Sequence, residues 1–399
     1  MKENGFELFV QIYFFSSLSE IRLDKIERNR HNQERVFTER NIGMLEEFRL
    51  EQIKEPLLQW FQKNARILPW REDATSYRVW VSEIMLQQTR VEAVKPYFER
   101  FITALPTVQA LAECEMERLL KLWEGLGYYN RVRNMQIAAK TVMEKYDGTL
   151  PADYDKLLQL KGIGSYTAGA VASIAYDIAV PAVDGNVLRV ITRVSGDTSD
   201  IMKQSVKKKI EQYLKEIMPK EKPGEFNQAL MELGATVCVP NGMPFCQKCP
   251  WVSFCKARLE NRISEIPVKT KQKKRRIEEK TVFVILQENR VLLHKRPKTG
   301  LLSGMYEFPN AQGALTEQEA ILWLKERRMS VLRIQKMEPA KHVFSHIEWH
   351  MTGYVVQLDE WSEGFEKLFF VDLDEVKEQY PIPSAFMAYK KYLQIDKKV

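Results

Sequence analysis

The stretch 157–172, LLQLKGIGSYTAGAVA, decides how the rest of the chain is read. Leu157, Leu158 and Leu160 recur at helical spacing, Gly162-Ile163-Gly164 breaks the run, and TAGAVA begins a second, small-residue helix. The pattern predicts two helices joined by a tight hairpin. Glycines let a backbone approach a ligand closely, and N–H groups at the next helix N-terminus can hold a phosphate oxygen. Together with Lys161, the glycines Gly162 and Gly164 point to contact with a nucleic-acid backbone, which positions a protein without reading sequence. An ordinary helix–turn–helix connection can carry the same glycines, so this stretch does not by itself fix a function.

Outward from the hairpin, residues 44–261 keep a helical texture, with apolar repeats such as Val91-Val94-Phe98 and breaks at Pro69, Pro106, Gly148 and Pro151. After 280 the pattern turns to strands, TVFVIL, VLLHKR, HMTGYVVQL and LFFVDL, with a helical stretch near 315–328. A length of 399 residues is too great for one ordinary core. The expected organisation is therefore an extension 1–43, poorly ordered or a start-site artefact, then an all-α domain 44–261. A linker 262–280 and a smaller α+β domain 281–399 follow. The formal charge is +7, of which +5 lies in the linker, while 44–261 carries +2 and the flanking segments are neutral. No apolar run is long enough to span a membrane.

Chemistry-bearing residues are few. The five histidines stand at 31, 294, 342, 346 and 350, so proton transfer within 44–261 falls to carboxylates, Tyr, Lys or Cys. In VWVSEIMLQQT, Glu83 has Val79, Trp80 and Leu86 one helical turn away. Such a setting desolvates an acid and raises its pKa, as a proton donor at neutral pH requires, although most helix glutamates are simply surface residues. In VPAVDGNVLRVITR, Asp184 precedes Gly185 and Asn186 and could equally be a helix N-cap. Cys238, Cys246, Cys249 and Cys255 lie within eighteen residues, spaced C-x7-C-x2-C-x5-C, with Cys114 apart. No secretory signal precedes them, so the cluster is expected to hold a metal, with zinc and a 4Fe–4S cluster both open.

Taken together, the hairpin, the VDGN aspartate and the four-Cys loop resemble the helix-hairpin-helix DNA glycosylase superfamily. LPWR at 68–71, SEIMLQQT at 82–89, GLGYY at 125–129 and FNQALMELGA at 226–235 narrow the resemblance to the adenine DNA glycosylases, the MutY family. GLLSGMYEFP at 300–309 and FSH at 344–346 resemble that family's Nudix-like domain. The resemblance runs from Met44 nearly to the C-terminus. It implies a bacterial cytoplasmic monomer, nucleoid-associated through duplex DNA. Its substrate would be adenine mispaired with 8-oxoguanine or guanine.

On that resemblance Glu83 is the general acid that protonates adenine, worth roughly 10²–10⁴-fold, and Asp184 stabilises the cationic sugar. Trp70, Arg71 and Gln228 would line the adenine pocket, and Gln88 and Tyr128 would insert beside the flipped base. Phe344, Ser345 and His346 would read 8-oxoguanine, and the four cysteines would hold a 4Fe–4S cluster. Arg131 and Arg133 are expected to join Lys161 in gripping phosphate. Related endonuclease III proteins carry a Schiff-base Lys two residues after the second hairpin glycine, where this chain has Tyr166. A phenol forms no imine, so a hydrolase without strand-cleaving lyase activity is expected, with Tyr166 helping to orient the catalytic carboxylates. The alternatives are a bifunctional endonuclease III-like glycosylase and a non-catalytic lesion-binding protein. Two features depart from the family. The first cysteine gap has seven residues where six are usual, and Arg328, Val331 and Leu332 stand where a Nudix box has metal-binding glutamates.

Overall fold

Helix-forming periodicity and helix-breaking residues act together through the first two-thirds of the chain. In the computed structural model, which describes residues 50–270, 274–361 and 368–397, these segments form thirteen short α-helices from Lys54–Asn64 to Lys256–Leu259. The extension 1–43 lies outside the described residues. Two compact units result, one from 50–66 with 177–270, the other from 67–176 with the strand-rich remainder. The first unit is thus built from two stretches of chain with a long excursion between them.

In the first unit the Gly185–Ser195 helix is buried from Val187 onward and packs against Pro223–Thr236. Leu57 and Phe61 of Lys54–Asn64 join Val187, Ile191, Leu230 and Leu233 in one apolar core. Trp251, beside the cysteine loop, closes this core and donates its indole N–H to the Ile53 carbonyl at 3.1 Å.

The second unit holds the Ser76–Leu86 helix packed on Ser165–Tyr176, with the 157–172 hairpin as expected. Its strands are β1 (Arg276–Gln287), β2 (Arg290–Lys295), β3 (Tyr306–Glu307), β4 (Asn310–Gln312), β5 (Met329–Lys336), β6 (Ala340–Val343), β7 (Ile347–Trp361) and β8 (Leu368–Asp372). They make one sheet in the order β3-β2-β1-β7-β5, with β1 and β7 parallel from Arg276 opposite Ile347. Alternating residues of β1 feed separate cores, Val282 and Val284 into one, Phe283 and Ile285 into the other, as a covered sheet requires. The sheet domain is fastened to the Met116–Leu122 helix. Lys121 donates to the carbonyls of Val376 and Tyr380 at 3.1 and 3.2 Å, and Glu124 is held between Lys121 and Lys390. Arg133 donates to the Ser303 carbonyl of the 300–309 segment. The residue expected to grip phosphate therefore ties two parts of the unit together.

Candidate active site

Glu83 lies on the buried face of Ser76–Leu86, between Val79, Trp80 and Ile84, and is 5% exposed. The hydroxyl of Tyr166, the second residue of the helix after the hairpin, donates to its Oε2. This brings together the acid and the hairpin residue linked in the sequence reading. Trp70 is 6% exposed and packs edge-on against Phe98 with centroids 5.3 Å apart, so much of its ring is core. Arg71 is half-buried at the end of Pro69–Glu72.

The hairpin geometry explains one glycine fully. Gly162 has φ +82°, and a Cβ there would stand 2.7 Å from Cβ of Asn134. A Cβ on Gly164 would meet nothing within 4 Å, so no packing within the chain demands glycine there. Lys161, Gly162 and Gly164 are exposed together at the turn. Two further exposed turns carry Gln88 at φ +60° and Tyr128 at φ +49°, a conformation uncommon outside glycine. Behind them Arg131 is half-buried, and burial lowers its pKa to about 10. Its guanidinium is spent on main-chain carbonyls and is not a phosphate grip.

Asp184 belongs to the other unit, as the N-cap of Gly185–Ser195. Its Oδ1 accepts the Val187 N–H at 2.7 Å and its Oδ2 accepts Asn186 Nδ2 at 2.7 Å. Burial of the carboxyl group pushes its pKa up, against the lowering effect of these donors and of Arg189. The capping reading of this aspartate is therefore realised, and the carboxylate is also desolvated enough to resist ionisation. Asn227 of the FNQ motif fixes the approach to it, donating to the Val180 carbonyl at 2.9 Å and accepting the Ala182 N–H at 3.0 Å. Gln228, next along the same helix, is half-buried.

One turn and two turns into the same helix stand Arg189 and Arg193, only 4% and 6% exposed. Arg189 donates to the carbonyls of Cys238, Gly234 and Gly185 and to Asn186 Oδ1. Arg193 donates to the Ile266 and Val239 carbonyls and to Cys238 Sγ at 3.4 Å. These guanidiniums join the Asp184 loop to the cysteine loop. Cys238, Cys246, Cys249 and Cys255 line one pocket with Arg193 and Arg258. Burial pushes the thiols of Cys246 and Cys255 up and that of Cys249 to about 12. Among the described residues no group of His, Cys, Asp or Glu converges as a single metal ion needs. Four sulfurs around a shared pocket, with two cations to offset thiolate charge, suit a larger anionic group.

In the sheet domain, Ser345 and His346 are exposed at the β6–β7 turn, with Ser345 Oγ 3.2 Å from His346 Nδ1. The Phe344 ring is held edge-on between His342 and Trp349 at 4.6 and 4.8 Å. The end of the basic linker reaches this turn. Arg275 Nε donates to the Phe344 carbonyl and the Arg276 N–H to the His346 carbonyl, both at 3.1 Å. Glu319, at the start of the Glu317–Glu326 helix, is used in a capping box with Thr316.

Residues 81–220 match the family model described as HhH-GPD superfamily base excision DNA repair protein, and residues 281–392 match that of the NUDIX domain. The adenine DNA glycosylase of Buchnera aphidicola (subsp. Acyrthosiphon pisum, strain APS) is 34% identical over 312 residues, 78% of this chain and 88% of that protein. The chain belongs to the adenine DNA glycosylase family. The adenine DNA glycosylase of Mus musculus is 35% identical over 362 residues, 76% of this chain and 70% of its own length. The fold is accordingly a helix-hairpin-helix glycosylase region followed by a Nudix-like α+β domain, and the activity is that of a base-excision adenine DNA glycosylase. Among the described residues no helix is long and apolar enough to cross a membrane.

Several residues that shape this glycosylase escape a sequence reading. Asn227, Arg189 and Arg193 support the Asp184 loop without belonging to the chemistry. A signal for the last two exists in GNVLRVITR, where two arginines four apart interrupt an otherwise apolar helix. Gly234 is a fourth case. A Cβ there would stand 2.6 Å from Asn186 Cβ and 3.2 Å from its Cα, so the FNQALMELGA helix lies against the start of the Asp184 helix.

Proposed function

We propose that this glycosylase hydrolyses the N-glycosidic bond of adenine opposite 8-oxoguanine or guanine in duplex DNA, acting as a monomer on the DNA of a bacterial cytoplasm. The buried contact between the Tyr166 hydroxyl and the Glu83 carboxyl group carries the reading. Glu83 donates a proton to the flipped adenine, making it a better leaving group, while Tyr166 holds the carboxyl group in one orientation. Asp184 stabilises the positive charge left on the sugar, and water supplies the hydroxyl. Trp70, Arg71 and Gln228 line the base, Gln88 and Tyr128 fill the stack it leaves, and Lys161, Gly162 and Gly164 hold the backbone. Phe344, Ser345 and His346 read the oxidised base. In this scheme 44–261 excises, 281–399 reads the lesion and 262–280 connects them.

Cys238, Cys246, Cys249 and Cys255 would hold a 4Fe–4S cluster, with Arg193 and Arg258 balancing its charge. Bound there, it would pin the 238–255 loop. Four cysteines lining one pocket beside Arg193 and Arg258 support the cluster reading.

The test is a duplex containing adenine opposite 8-oxoguanine. Adenine should be released, the strand should break only after added alkali, and borohydride should trap no adduct. Prompt breakage with a trapped adduct would identify the bifunctional alternative, and tight binding without release would leave a lesion-binding protein. Wild-type release by Glu83→Gln would remove Glu83 as the acid. Equal iron and sulfide with a visible absorbance band would identify the cluster.

A further inference from the structure

Arg131 begins the helix Asn130–Lys145, and each of its donors can be followed. Nη1 donates to the carbonyls of Ile84, Met85 and Gln87 at 2.6, 3.2 and 2.7 Å. Nη2 donates to the carbonyls of Leu126 and Gly127, both at 3.2 Å. The remaining Nε is buried without a partner, so no N–H of this guanidinium is presented to a phosphate. The planar head is flanked by the rings of Trp123 and Tyr128 at 5.4 and 5.5 Å.

The acceptors fall in two groups. Ile84 and Met85 are in the last turn of the Glu83 helix, where carbonyls lack intrahelical partners, and Gln87 is its C-cap. Gln87 directly precedes Gln88, and Gly127 directly precedes Tyr128, both of them non-glycine residues held at positive φ. A single cation thus fixes the backbone on the N-terminal side of both exposed turns. Without it, five carbonyl oxygens would lose a charged donor, and both turns would be freer to relax toward ordinary negative φ.

We infer that Arg131 is a positioning residue of the excision reaction, which joins the Gln88 and Tyr128 turns into one preformed wedge. This rests on the assignment of Gln88 and Tyr128 as the residues that enter the base stack. A preformed wedge removes the ordering of two loops from the cost of flipping the base. Because the same guanidinium caps the Glu83 helix, insertion and acid placement share one support.

The experiment uses the full chain carrying Arg131→Lys, Gln88→Ala or Tyr128→Ala. The duplex has 2-aminopurine opposite 8-oxoguanine to report flipping, with adenine in parallel for single-turnover release. Lysine keeps the charge but cannot reach both groups of carbonyls. R131K is expected to lower the flipping signal and the release rate at least tenfold. Amide hydrogen exchange should quicken at 86–89 and 125–129 while the rest of the helix core stays protected. The slope of log affinity against log salt should be unchanged. A slope lower by about 0.9 in Arg131→Met, the signature of one lost phosphate contact, would overturn the inference. If Arg131→Met does not fold, wild-type flipping and exchange in R131K would overturn it equally. Should Q88A and Y128A leave flipping intact, the wedge assignment itself fails. If they abolish flipping and R131K does not, only the role of Arg131 fails.

Discussion

Asp184→Asn separates what the aspartate does for the fold from what it does for the reaction. The substitution keeps shape and leaves Oδ1 accepting the Val187 N–H, and Asn caps a helix about as well as Asp. The other side is different. Asn186 Nδ2 would then face an amide NH₂, and Asn186 cannot turn over freely because its Oδ1 accepts Arg189 Nη2 at 2.8 Å. Losing that one hydrogen bond costs about 1 kcal/mol. Against this stands the charge. Asp184 has its pKa raised by burial, so the folded state holds its proton more tightly than the unfolded chain does. Stability contributed through this group therefore falls as pH rises from the ordinary aspartate value, 3.8, through the raised one. Ionising the buried carboxyl group at neutral pH therefore carries a penalty that asparagine never incurs. D184N should thus be the less stable protein near pH 4 and should gain on wild type as pH approaches 7. Urea unfolding followed by tryptophan fluorescence at several pH values measures this, beside an excision assay in which D184N should release no adenine. If the variant loses ground to wild type as pH rises, the carboxylate is stabilised in the fold and the reasoning is wrong.

Three further outcomes follow from the same geometry. Arg189→Gln removes a buried guanidinium from four acceptors and should cost about 1.5–3 kcal/mol in urea unfolding while lowering iron retained per chain after chelator treatment. Gly234→Ala places a methyl against Asn186 and should cost about 1–3 kcal/mol, with excision slowed more than DNA binding, as gel-shift and single-turnover assays would reveal. Arg275→Met should narrow the preference for 8-oxoguanine over guanine, because Arg275 holds the Phe344 carbonyl, whereas Lys274→Met should leave that preference alone; equal discrimination by R275M and wild type would refute this.

The helical region, the strand region and the hairpin were legible in sequence because period and punctuation agree there. Glu83 was legible from its apolar helix neighbours, and its partner Tyr166 came from the family pattern. The arginines were not. Arg131 and Arg133 sit in a polar-looking GYYNRVRN segment, and nothing in one dimension tells a guanidinium bound for phosphate from one bound for carbonyls. Burial decides the matter, and burial depends on a turn 44 to 47 residues away in the chain, at Ile84–Gln87. The linker poses the same problem. It holds most of the excess positive charge, yet Arg275 donates to the FSH turn and the Arg276 guanidinium pairs with Glu278, while Lys273 lies outside the described residues. The compact units were also hidden, since they depend on which distant helix covers Leu57 and Phe61.

That covering has a consequence for synthesis. The Lys54–Asn64 helix leaves the ribosome early, but the residues that bury Leu57 and Phe61 arrive only with 187–233. The intervening residues 67–176 belong to the other unit, whose sheet is translated last. The core that Leu57 and Phe61 share with 187–233 cannot close until those residues have emerged, so the apolar face of the early helix stands exposed on the nascent chain. A fragment that begins after Asn64 would leave Leu230 and Leu233 without the Leu57 and Phe61 side chains that pack on them.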